Sequence, residues 1–279
     1  MQMWYSLIDS IIPFKWAEYT FMKNALLGIL LVTPMFGMLG TMVINNKMAF
    51  FSDALGHSAL TGIAIGAVLR INNPMLSMIG FSVILAIAIV KVKHAHTAST
   101  DTIISVFSSV AVALGIVILS YRGGFSKYSV YLIGDLLSVT PKDLLLLAIT
   151  FIMVLALWVC AFNQLLLTSI NPSLAKSRGV AVRMWEYIFT MIIALIVTLS
   201  IPWIGTMIIS SMLILPAAAA RNIAHNVRQY VALSVIIALV SGIIGLVLSY
   251  FIESASGATI VLILGTFFAI TYCVKLKIN

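Results

Sequence analysis

Apolar residues follow one another in blocks of about 20 from residue 21 to the C-terminus, parted by short polar or Gly/Pro-marked breaks. A block of that length crosses the ~30 Å hydrocarbon core of a bilayer as an α-helix. The pattern predicts spans at about 21–44, 49–69, 74–92, 103–120, 142–162, 184–201, 204–220, 229–251 and 257–275. Asn45-Asn46-Lys47 predicts a tight turn, Asn72-Asn73-Pro74 opens a span, and Ser256-Gly257 breaks another. Tyr128–Ser138 is apolar but too short to cross, and predicts a short re-entrant or surface segment whose ends protein must bury. The blocks do not alternate in segments of about ten residues, which excludes a β-barrel. The first 20 residues hold Asp9, Pro13, Lys15 and Glu18 without a signal-peptide layout, and predict an interfacial segment. The expected architecture is all-α: one transmembrane domain over residues 21–279, a polytopic helical bundle of about nine spans.

Composition agrees. The chain is 62% hydrophobic and 9% charged, against roughly 45–50% and 25% in soluble globular proteins, so no sizeable soluble domain fits. Cys160 and Cys273 stand in apolar runs without partner spacing, which argues against a disulfide framework or a thiolate zinc site. The net charge of +8 comes from bases scattered through loops, with no basic-aromatic interleaving to suggest nucleic acid. Bases beside spans instead orient the chain. With nine spans and a cytoplasmic C-terminus, the inner side carries Lys47, Lys91, Lys93, Lys176, Arg178, Arg183, Arg221, Arg228, Lys275 and Lys277. The outer side carries Lys15, Lys23, Arg70, Arg122, Lys127 and Lys142. Five acids (Asp9, Glu18, Asp135, Asp143 and Glu253) also fall outside.

Candidate chemistry concentrates in the second block. Asp53, His57 and Thr61 recur at i, i+4 and i+8, which stacks them on one helix face. Ionisable groups at membrane depth are expensive and mark ion paths or proton relays, and an oxygen donor beside a nitrogen donor also suits a divalent transition metal. The competing explanation is a simple local hydrogen bond. Ser58, Gly62 and Gly66 form a second stripe of small residues that lets another helix approach. In the longest polar connection, Asn163–Arg183, Asn171 can cap a helix, Pro172 suits its first position and Gly179 can end it. A two-turn helix there would offer a docking element to a soluble partner.

Other polar residues carry weaker signals. His94 and His96 share a basic loop and read as interfacial residues, as does His225. Asp135 could line an outer gate or cap the turn after it, and Glu186 could pair locally with Arg183. The chain has no G-x-x-x-x-G-K-[ST], H-E-x-x-H or G-x-S-x-G, so it lacks the loop that cradles a nucleotide.

Three segments together resemble the permease subunits of the ABC-3 family, membrane components of ATP-driven bacterial importers for zinc, manganese and iron. They are Pro34–Gly66 with Asp53-Ala-Leu-Gly-His57, the loop Asn171–Gly179, and Met212-Leu-Ile-Leu-Pro-Ala-Ala-Ala-Ala-Arg221. The resemblance implies a homodimer in the bacterial plasma membrane that receives metal from an extracellular metal-binding lipoprotein. A cytoplasmic ATP-binding subunit would dock on Asn171–Gly179. It implies Asp53 and His57 as metal-holding residues, the metal (zinc favoured, manganese or iron possible) being substrate rather than a bound cofactor. Family members carry acids at the first and third loop positions, where this chain has Asn171 and Ser173, and often paired arginines in place of Asn46-Lys47. The alternatives are a proton-coupled secondary transporter or channel using Asp53 and His57 as a relay, and a membrane enzyme using them as acid and base.

Overall fold

A computed structural model describes residues 4–6, 8, 15–95, 98–122 and 134–278. Ten α-helices follow in chain order: α1 (Thr20–Asn45), α2 (Phe51–Val68), α3 (Pro74–Lys93), α4 (Thr100–Arg122), α5 (Pro141–Ile170), α6 (Pro172–Ser177), α7 (Val182–Ile204), α8 (Thr206–Ile223), α9 (Val227–Ile252) and α10 (Ser256–Ile278). Short 3-10 turns lie at Lys15–Glu18 and Leu136–Ser138, and no strand occurs among the described residues.

Among the described residues the span count is seven, not about nine. Seven helices are long and apolar enough to cross a bilayer: α1, α3, Thr100–Ser120 of α4, α5, α7, α9 and Ser256–Lys277 of α10. The blocks at 49–69 and 204–220 fold as α2 and α8, of 18 residues each. At 18 residues they sit near the lower end of the length that spans a bilayer, so their polar content decides. Asp53 and His57 make α2 more polar, and Ser210, Ser211, Arg221 and Asn222 do the same for α8. The predicted re-entrant segment lies mostly outside the described residues. Its described end is the turn Leu136–Ser138, capped by Asp135, whose Oδ1 accepts from the Leu137 amide at 3.0 Å.

The boundaries follow side-chain chemistry. Asn73 caps α3 ahead of Pro74, and Asn226 caps α9 by accepting from the Gln229 amide at 2.9 Å. Asn171 caps α6 by accepting from the Leu174 amide at 3.0 Å, Pro172 takes the first helical position, and Gly179 follows the helix at φ 76°. That is the helix predicted from the sequence. Asn171→Ala is expected to weaken it by about 1 kcal/mol, read as faster amide exchange at Leu174.

The chain divides into two compact units. One comprises Met1–Thr41, Gly134–Met153 and Ser211–Asn279. Within it α9 packs on α10, and Gly37 of α1 lets Ser234 of α9 donate to its carbonyl at 2.7 Å. The other unit comprises Met42–Ile133 and Val154–Ser210, and centres on α2, which packs against α3, α4 and α7.

Candidate functional site

α2 is almost wholly enclosed. Twelve of its 18 residues are buried, and the first three partly exposed positions are Asp53, His57 and Leu60. That spacing is one helix face, so the open face of an otherwise packed helix carries the carboxylate and the imidazole. His57 Nε2 lies 3.5 Å from Asp53 Oδ1. The same oxygen accepts from Ser210 Oγ at 3.3 Å.

The residues behind this face explain its position. The small-residue stripe works as expected from the sequence: a Cβ on Gly62 would lie 2.8 Å from Met78 Cα and the Ser77 carbonyl oxygen, and one on Gly66 would strike the Ser77 side chain. Backbone therefore meets backbone between α2 and α3. On another side Gly56 abuts Thr206, the first residue of α8. α7 stops at Gly205, whose φ of 87° is open to glycine. The chain restarts at once as α8 and delivers Ser210 to Asp53.

Ser210 is the member of the site that sequence reasoning missed. The available signal was the pair Ser210-Ser211 inside an apolar block. Thr61 departs from its predicted role in the polar stripe: it is fully buried, donates to the Ala111 carbonyl at 2.6 Å and lies against Gly115 of α4. Its hydroxyl joins helices and does not extend the open face. Among the described residues no group of three or more His, Cys, Asp or Glu could hold a metal ion. The arrangement is thus a carboxylate and an imidazole on one partly exposed face, with a serine hydroxyl on the carboxylate.

The remaining candidates separate cleanly. His225 is exposed in the turn before α9, and Cys160 and Cys273 are free thiols. Glu186 does not pair with Arg183 as expected; its carboxylate binds Lys93 and lies 3.1 Å from His94 Nε2. His94 is therefore part of a long-range cluster rather than an ordinary interfacial residue. His96 lies outside the described residues. The Asn171–Gly179 loop is exposed except for Ala175, which is fully buried and anchors α6.

Seven helices able to cross a bilayer define a multi-pass membrane protein. The ABC 3 transport family matches residues 18–275, and the chain belongs to that family. It is a permease of the bacterial plasma membrane. The chain is 36% identical over 225 residues to the high-affinity zinc uptake system membrane protein ZnuB of Haemophilus influenzae, covering 80% of this chain and 86% of the relative. It is 30% identical over 260 residues to the manganese import system permease protein ScaB of Streptococcus parasanguinis, covering 93% and 92%. A chain of PsaBC from Streptococcus pneumoniae, solved in complex with Fab, superposes with a TM-score of 0.78 at 29% identity, covering 98% of this chain and 95% of that one.

Proposed function

We propose that the chain is the membrane permease of an ATP-driven importer that carries a divalent transition metal, zinc in preference to manganese or iron, into the cytoplasm. Asp53 supplies charge and one oxygen ligand, and His57, as the neutral imidazole, supplies a nitrogen. The observation that carries the reading is their pairing on the one open face of a packed, half-polar helix. Two protein donors hold an ion loosely enough to release it, whereas a closed four-ligand cage would trap it.

The choice of zinc rests on two supports. An imidazole beside a carboxylate suits a borderline ion better than a strictly oxygen-seeking one, and the zinc-uptake relative shares more identity with this chain than the manganese relative does. A second copy of the chain completes the path. An ATP-binding subunit docks on α6, and an extracellular binding protein delivers the ion.

Proteoliposomes holding the chain with its ATP-binding subunit and binding protein test this directly. Zinc is expected to accumulate only with ATP, and more readily than manganese at equal concentration. Preferred manganese uptake would reassign the metal. Accumulation driven by a proton gradient without ATP would replace the importer reading with the proton-coupled one.

A further inference from the structure

We infer that Glu186 is a positioning residue that ties the docking helix α6 to the entry of α2, through an ionic lock on Lys93 beside His94. This rests on the importer reading above, since it assigns the lock a place in transmitting ATP-driven motion.

Glu186 stands in the second turn of α7, a helix that begins shortly after α6 ends. Its side chain is only 12% exposed; Oε1 is bound by the Lys93 ammonium, and His94 Nε2 lies 3.1 Å from Oε2. Lys93 is the last residue of α3 and His94 is its cap, so the lock pins the end of α3 to the start of α7. Lys93 Nζ also rests 3.9 Å from the sulfur of Met48. Met48 is fully buried in the turn that leads into α2, five residues ahead of Asp53. α6, α7, the lock, Met48 and the Asp53–His57 face therefore lie within a single unit of the fold, α6 joined to α7 by a short link and Met48 to Asp53 by the chain itself.

Charge explains why the lock forms at this glutamate. Glu186 is the one carboxylate among the residues lining a cavity of about 500 Å³, where it faces Lys47, Lys93, Lys176 and Arg183. Lys47, Lys176 and Arg183 are exposed and keep their heads in water, whereas Lys93 and His94 are partly buried and hold Glu186. A mostly buried carboxylate stripped of its partner is strongly unfavourable, so the lock resists separation of α3 from α7. Because α2 and α3 meet backbone to backbone at Gly62, a shift of α3 cannot be absorbed by side-chain rearrangement alone.

The test uses the complete transporter in proteoliposomes and reads metal ions taken up per ATP hydrolysed. Glu186→Gln keeps the shape and removes the charge. It is expected to lower that ratio at least about fivefold, the lower end of typical coupling between sites, while ATP hydrolysis continues. Exchanging the charges, Lys93→Glu with Glu186→Lys, should recover most of the ratio, as a double-mutant cycle on a real pair requires. A purely structural role would reduce uptake and hydrolysis together with protein level and leave the ratio unchanged; that result overturns the proposal. An assembled charge-exchange variant that hydrolyses ATP without recovering uptake overturns it equally, and decides the matter even if Glu186→Gln does not assemble. Failure of the importer reading itself is distinct, because then the unmodified protein would show no ATP-linked uptake.

Discussion

Asp53→Ala and His57→Ala each leave the protein in the membrane at its usual level and remove metal uptake, by about 100-fold or more. The magnitude follows from the donor count. Loss of a group that merely orients a metal ligand costs about 10–100-fold in affinity or activity, and here a donor itself is lost from a set of two. Asp53 is the more severe case, because it carries the compensating charge and its Oδ1 is the point on which His57 and Ser210 converge. Neither change opens a core cavity, since both side chains lie on the partly exposed face of α2. Membrane abundance measured by immunoblot, alongside uptake of radioactive zinc, checks both halves of the expectation. Uptake at the unmodified level in both variants would remove the chemical basis of the proposed site.

The second large effect concerns packing. Gly62→Ala places a methyl group 2.8 Å from Met78 Cα and the Ser77 carbonyl oxygen, atoms of the α3 backbone that no rotamer change can move aside. Overpacking of this kind costs about 1–3 kcal/mol. Gly80→Ala on α3 is the matched control, because its new Cβ meets nothing within 4 Å. There the helix gains roughly 0.5–1 kcal/mol from the lower flexibility of alanine in the unfolded chain. Thermal unfolding of the purified permease in detergent should therefore shift downward for the first substitution and hold or rise for the second. Equal shifts in both would mean that α2 and α3 do not approach as closely as described.

Much of this was written in the chain. Asn171, Pro172 and Gly179 spell a capped short helix through purely local chemistry, and the structure follows them residue by residue. Asp53 and His57 were legible because helical periodicity and the scarcity of charge isolate them. The span count was not, because block length reads a helix without weighing the polar groups that shorten its apolar part, as in α2 and α8. Long-range partners escaped for another reason. Ser210 meets Asp53 across 157 positions of sequence, and Glu186 passes over the nearby Arg183 to reach Lys93 and His94. Thr61 fitted the polar stripe by spacing but was claimed by Ala111 and Gly115, a choice set by the packing of α4.

The separation between Asp53 and Ser210 also bears on biosynthesis. At translation rates of about 5–20 residues per second, roughly 8–30 seconds pass before the ribosome supplies the serine. Through most of that interval the nascent chain holds an aspartate and a histidine before α7 and α8 are made. Shelter must come from α3 and α4, which emerge next and pack on α2 in the finished protein. The glycines that bring α3 so near thereby acquire a second value, as early cover for the aspartate and histidine of α2.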